Sequence, residues 1–281
     1  MTANIEHPLG PQHVAGCFAL SQAAHWNQNE ADWRLMLDIG RGWGISLADG
    51  SLIASTLVLP YGHFAWISMV LVQPQQRRKG YASRLLRVAI ADLRARGLTP
   101  ILDATPAGRE VYRQEGFRDT WTFKRFQLKS GTDHVFRSRP GMAKTWSVPD
   151  FAAGTLAALD REAFGADRTS LLRALQQRLP QAALASDGKG FVLGREGREA
   201  RQIGPLVARD ESTAMALLQS ALAAVAAPLY VDVVDHAAQL QQWLLARGFV
   251  FQRPFTRMVH GADRAPGNEK LVYLVAGPEL G

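Results

Sequence analysis

The chain has 281 residues, enough for two domains of ordinary size, and can bury a core without disulfide or metal staples. Its 47% hydrophobic and 20% charged content excludes a disordered or collagen-like chain. The formal charge is +7, and 26 of the 32 basic residues are Arg, which favours an anionic partner. The first clear pattern is a β-rich run over 64–72, followed by a helix over about 80–96. In that helix Ala82, Leu85, Leu86, Ala89, Ile90 and Leu93 form one apolar stripe. A short strand at 100–104 follows, then a second helix at about 106–115, closed by Gly116 at a C-terminal cap position. An aromatic-rich strand runs over 117–128. The stretch from Lys129 to Thr145 holds Ser130-Gly131, Arg137, Arg139 and Pro140-Gly141 and has no apolar period, so it is read as a linker. The same series then returns: a weaker β run at 200–208, a helix at 212–226, a strand at 229–234, a helix at 236–247 ended by Gly248, and a strand at 249–259.

The return is a repeat with a constant offset of 132 residues. Ala82, Leu85, Leu86, Ala89, Ile90 and Leu93 map onto Ala214, Leu217, Leu218, Ala221, Leu222 and Val225. Ile101 and Asp103 map onto Val233 and Asp235, Gly116-Phe117 onto Gly248-Phe249, and Phe123-x-Arg125 onto Phe255-x-Arg257. Strands alternating with helices give an α/β class with a mixed sheet. The expected organisation is a domain at 1–130, a linker at 131–145 and a second, duplicated domain at 146–281.

Chemistry is concentrated at Val72-Gln73-Pro74, a basic loop Arg77-Arg78-Lys79-Gly80, and the helix start Tyr81-Ala82-Ser83. The first N–H groups of a helix lack internal partners and carry partial positive charge, so such an element can cradle a pyrophosphate. The loop has neither the triphosphatase nor the dinucleotide glycine spacing. The charge excess is local to it: residues 77–96 hold seven basic side chains and one acidic. That suits a ligand with a few clustered phosphates better than a nucleic-acid backbone, and no helix-turn-helix, zinc-finger or RNP pattern is present.

Arg77-x-x-Gly80-x-Ala82 after Val72-x-Pro74 resembles the acetyl-CoA loop of the GNAT superfamily of N-acetyltransferases. Leu102-Asp103-Ala104-Thr105-Pro106, then Tyr112-x-x-x-Gly116-Phe117, is similar to the family's later strand and helix. His25-Trp26-Asn27-Gln28 and Asp32-Trp33 resemble the start of the bacterial tandem-GNAT group, in which a second GNAT-like domain follows the first. The resemblance runs from about residue 10 to 260.

It implies acetyl-CoA as cosubstrate and direct transfer of acetyl to a primary amine of a small molecule or peptide. The alternative is an acyl-CoA-binding regulator without catalysis. Backbone groups of Val70, Leu71 and Val72 are expected along the pantetheine, and Arg77, Arg78, Lys79, Gly80, Tyr81, Ala82 and Ser83 at the phosphates. Tyr112 is expected as general acid toward the departing thiolate. Thr105 and Gly108 stand where many members carry Asn and Ala, beside the pantetheine arm. Trp26, Asn27 and Trp33 are expected to line the acceptor pocket. For the general base, His63, Asp103, Glu30 and Asp32 stay open, with Asp103 weighed as structural because Asp235 matches it.

In the second copy the offset sets Ser212 against Gly80 and Asp210-Glu211 against Arg78-Lys79, so no working pyrophosphate loop is expected there. Leu244 stands against Tyr112.

Cys17, the single cysteine, lies in an apolar segment and is expected in the core rather than as a nucleophile. The histidines at 7, 13, 25, 63, 134, 236 and 260 show no metal spacing, so no metal is expected. No basic, apolar leader opens the chain, and the longest apolar run, Ala221 to Val231, is too short for a bilayer. A cytoplasmic protein with no membrane or nucleic-acid partner is the expectation.

Overall fold

The computed structural model describes residues 5–131, 145–148 and 154–281, so the expected linker lies outside the described residues except at its two ends. The chain divides into two compact units. The first comprises Met1–Thr120, Met258–Arg264 and Leu280; the second comprises Trp121–Arg257, Ala265–Glu279 and Gly281.

The first unit opens with β1 (Ile5–Leu9), α1 (Val14–Ala23) and α2 (Glu30–Ile39). Asn29 starts α2 through a reciprocal cap. Its side chain accepts from the Asp32 N–H at 3.0 Å, and the Asp32 carboxylate accepts from the Asn29 N–H at 2.9 Å. There follow β2 (Arg41–Ser46), β3 (Leu52–Tyr61), β4 (Phe64–Val72), α3 (Tyr81–Ala95), β5 (Thr99–Ala104), α4 (Pro106–Gln114) and β6 (Phe117–Leu128), whose start lies in this unit. The strand order is β1-β2-β3-β4-β5, antiparallel except for the parallel β4–β5 pair.

The predicted stripe of α3 is buried at Leu85, Leu86, Ala89, Ile90 and Leu93. Most of it packs on Val58, Ala65, Ile67, Leu102 and Ala104, each buried side chain contributing about 1.5–3 kcal/mol. Strand alternation therefore turns Trp66, Ser68, Ile101 and Asp103 to the opposite face, the one covered by α1 and α2.

The second unit contains β7 (Trp146–Ser147), α5 (Thr155–Phe164), α6 (Thr169–Arg178), β8 (Leu184–Ser186), β9 (Gly190–Arg195), β10 (Arg201–Ala208), α7 (Glu211–Ala224), β11 (Leu229–Val234), α8 (Ala238–Leu245), most of β12 (Val250–His260), and β13 (Val272–Leu274). Its core holds buried charge. Arg125 grips Asp232 through two hydrogen bonds of 2.7 and 2.6 Å, and Gln202 adds a third at 3.1 Å. Such a pair tolerates burial because each charge is held by a partner of matching geometry.

The 132 offset describes the helix stripes, since Leu217, Leu218, Ala221 and Leu222 are buried in α7 as their counterparts are in α3. It fails at two places. The residue capping α3 is Gly80, in the left-handed region, whereas α7 is capped by the extended Asp210, two residues before the offset match Ser212. Asp103 and Asp235 also part company. Val233 lies opposite Lys124, whose Nζ reaches both Asp235 (2.6 Å) and Gln241 of α8 (3.3 Å), so Asp235 faces α8. Asp103 faces away from α4, the helix that corresponds to α8. A slip of one residue along a strand turns a side chain to the other face. The match in sequence is therefore no sign of a shared structural role for Asp103.

Candidate active site

The basic loop is built to leave donors open. A short 3-10 turn at Pro74–Gln76 ends β4, Arg77 is extended, and Arg78 and Gly80 take positive φ of 60° and 80°. Gly80 caps α3 with no side-chain cap bond and no acid in the first turn. The Arg84 N–H bonds back to the Gly80 carbonyl at 2.9 Å, so the amides before it have no acceptor within the helix. A Cβ placed on Gly80 would meet nothing within 4 Å, so the backbone there fronts open space. Arg77, Arg78 and Lys79 are exposed. The Arg77 side chain folds back to the Val72 carbonyl at 3.4 Å, and Lys79 donates to Gln76 at 2.8 Å. Tyr81, Ala82 and Ser83 are half-buried at the helix start.

Beside the loop, β4 and β5 part. Their pairing runs Phe64–Thr99, Ala65–Pro100 and Trp66–Ile101, then stops, although both strands continue. Against β3, the register of β4 shifts between Ser68 and Leu71, and Met69 takes φ of 52°. This is a β-bulge, and the Ser55 hydroxyl holds it by donating to the Met69 carbonyl at 2.8 Å. Beyond the bulge the Gln73 N–H donates to Ile53 on β3 at 2.9 Å. By alternation Leu71 also turns its backbone groups to β3, whereas Val70 and Val72 turn theirs to the open edge. Of the three strand residues expected there, two present their amides to the gap.

Tyr112 lies on the α3 side of that gap, packed with Val70 against the cluster containing Leu102, Ala104 and Phe117. Burial alone pushes its phenol up to about 12. Gly108 makes room for the ring, since a Cβ there would sit 3.0 Å from Tyr112 Cε2. Thr105 caps α4, its hydroxyl accepting from the Gly108 N–H at 3.2 Å.

The residues expected at the acceptor divide. Trp26 is half-buried in the α1–α2 connection and Asn27 is buried. Trp33 is fully buried, its indole N–H donating to Ser21 at 2.9 Å, so it anchors α2 on α1 and keeps no surface for a ligand. Among the candidates for a base, Asp32 is spent as a cap and Glu30 is exposed in an ion pair with Arg34 at 3.2 Å. His63 sits at the β3–β4 turn, roughly 30 Å along the strand from Val72. Asp103 stands at the mouth of the gap, two residues past the last β4–β5 pair.

Cys17 is buried in α1 and its thiol is pushed up to about 12 by desolvation. In the folded protein it is expected to resist a disulfide-exchange reagent until the chain is unfolded in denaturant. Absorbance of the released chromophore checks this, and rapid native labelling would contradict it.

Residues 13–117 match the acetyltransferase (GNAT) family, and residues 156–274 match an acetyltransferase (GNAT) domain. The chain belongs to the GNAT acetyltransferases. It carries two GNAT domains in tandem and is an N-acetyltransferase. It is 25% identical over 247 residues to YitH of Bacillus subtilis (strain 168), an uncharacterized N-acetyltransferase, and 86% of each chain is covered. Among solved structures, a candidate acetyltransferase from Pyrococcus horikoshii shares the fold at a TM-score of 0.84 and 20% identity, covering 100% of this chain and 97% of that one. A tandem GNAT protein from the clavulanic acid biosynthesis pathway is similar at a TM-score of 0.67 and 17% identity, covering 95% and 100%.

The two GNAT domains differ where the first keeps its donors open. In the second, the Asp210 carboxylate takes the Thr213 N–H at 2.8 Å and Glu211 adds charge in the first turn. The Ser212 hydroxyl and the Thr213 N–H hold the Asp210 carboxyl below the usual range. The gap between the corresponding strands is also filled. Pairing of β10 with β11 ends at Ile203–Val231, and β13 enters antiparallel, with Leu274 opposite both Leu206 and Val233. Neither β13 nor the Met69 bulge belongs to the elements expected from the sequence. The apolar run Leu271–Ala276 is a visible signal for β13; nothing in the sequence marks the bulge.

Proposed function

We propose that the first GNAT domain transfers acetyl from acetyl-CoA directly to a primary amine, and that the second domain binds no acyl-CoA. The reading is carried by one observation: the open N-terminus of α3 lies at the end of β4, whose edge is unpaired. The parts fit the cosubstrate. The uncapped amides around Gly80 suit a pyrophosphate, and the edge amides of Val70 and Val72 suit a pantetheine arm and a thioester carbonyl.

In this reading the neutral amine nitrogen attacks the thioester carbon, the carbon–sulfur bond breaks, the sulfur leaves as thiolate, and the nitrogen gives its extra proton to water. Tyr112 keeps its proton near neutral pH because burial pushes its phenol up to about 12. A thiol ordinarily titrates at about 8.5, so complete transfer of that proton to the thiolate is uphill. Tyr112 therefore serves by donating a hydrogen bond to sulfur as charge develops. No thiol intermediate is involved, because the buried Cys17 offers no thiolate.

The second domain's exclusion is supported by its own carboxylate at the helix start and by β13 in the strand gap. Calorimetry with acetyl-CoA, paired with thiol release over a panel of primary amines, tests the whole reading. One binding event per chain and amine-dependent thiol release are expected. Two binding events would overturn the account of the second domain. Tight binding without thiol release on any amine would leave a regulator instead.

A further inference from the structure

We propose that Asp103 and Ser68 form the seat for the acceptor's ammonium group, which makes cationic primary amines the preferred substrates. This rests on the transferase reading given above. Trp66 and Ile101 are the last paired residues of β4 and β5. Two residues further along each strand stand Ser68 and Asp103, so both lie on the face of Trp66 and Ile101 and flank the mouth of the gap. That is the face toward α1 and α2, opposite the face on which Tyr112 packs.

Ser68 carries the second, independent sign. It is only 6% exposed, yet its hydroxyl has no hydrogen-bond partner among the described residues. A buried hydroxyl left unmatched is unfavourable, and a ligand donor would complete it. Ser68 also immediately precedes Met69, whose bulge turns the Val70 amide to the gap. The hydroxyl is thereby set next to the backbone proposed to hold the thioester. An ammonium has three donors and no acceptor, and a carboxylate with a hydroxyl offers only what it needs. The pair would hold the nitrogen on one side of the thioester while Tyr112 meets the sulfur from the other; the ammonium gives one proton to water to free the lone pair that attacks, and the hydroxyl and carboxylate keep the neutral amine in place.

Asp235 in the second domain faces α8 and pairs with Lys124 at 2.6 Å, and β13 lies beside Val233 where an acceptor would have to enter. Among the described residues, Asp103 stands beside a strand gap that no third strand enters, whereas β13 enters the gap beside Val233.

The test compares wild type, Asp103→Asn and Ser68→Ala with spermidine, L-lysine, glucosamine and tyramine as acceptors. KM for the amine is expected to rise at least about tenfold in Asp103→Asn and about threefold in Ser68→Ala. KM for acetyl-CoA is expected to stay within twofold, and calorimetric binding of CoA to be retained in both. Should Asp103→Asn fail to fold, Ser68→Ala carries the test. Turnover by wild type with unchanged amine KM in the folded variants would overturn this inference and leave the transferase reading standing. If wild type acetylates none of the amines although it binds acetyl-CoA, the transferase reading falls and this inference falls with it.

Discussion

Gly80→Asp is expected to abolish acetyl-CoA binding, with an affinity loss of at least about 100-fold by calorimetry. The substitution sets a carboxylate at the start of α3, as Asp210 sets one at the start of α7. The new carboxylate would compete with the pyrophosphate for the open first-turn N–H groups and would set a negative charge against it. Losing one or two charge-assisted hydrogen bonds, at about 1.5–3 kcal/mol each, accounts for that loss before repulsion is added. Gly80 sits at φ of 80°, so any side chain also adds about 1–2 kcal/mol of backbone strain. Gly80→Ala separates the two effects. A Cβ there meets no atom within 4 Å, so Ala brings the strain without the charge and should weaken binding by about tenfold or less. Equal losses in the two variants would show that charge at the helix start is irrelevant.

Tyr112→Phe is expected to lower kcat about 100-fold while leaving KM for acetyl-CoA within about twofold. The ring's packing against Leu102, Ala104 and Phe117 survives the change, so only the donor at sulfur is removed. The phenol is pushed up to about 12, so wild type should show no alkaline fall in kcat below about pH 11 attributable to Tyr112. The sign for stability follows from the same shift. The unfolded phenol titrates near 10, so the stabilising effect is complete below that pH and is lost as pH rises through about 12, roughly 3 kcal/mol in all. Chemical denaturation of wild type and Tyr112→Phe at pH 9 and pH 12 measures it. A kcat unchanged in Tyr112→Phe would remove Tyr112 from the reaction.

Much of the architecture was legible because each element carries its own period and stop. The run Phe64–Val72 coincides with β4, the stripe from Leu85 to Leu93 with the buried side of α3, and Gly116 and Gly248 take positive φ where the helices end. The elements before β4 were less legible. The α1 segment, VAGCFALSQA, is apolar on nearly every side and has almost no amphipathic pattern to read. The loop was legible for a different reason: a glycine after basic residues at a strand-to-helix junction is a local signature.

What needed the tertiary structure was every statement about which side a residue faces and what lies beside it. The sequence by itself determined the two-fold repeat, the element order, the basic loop and the position of Tyr112, all of which follow from spacing along one strand or one helix. Only the folded chain showed that Trp33 is a packing anchor, that Asp103 and Asp235 face opposite ways, and that β13 closes the gap which the first domain leaves open. The localised share of the +7 charge acquires its meaning in the same way. Asp210 shows that a helix start can be sealed by its own side chain, and Gly80 leaves the other start open. The reason is physical. Period and capping are set by neighbours in the chain, whereas strand partners and faces are set by contacts between residues far apart in it, and a slip of one residue reverses them.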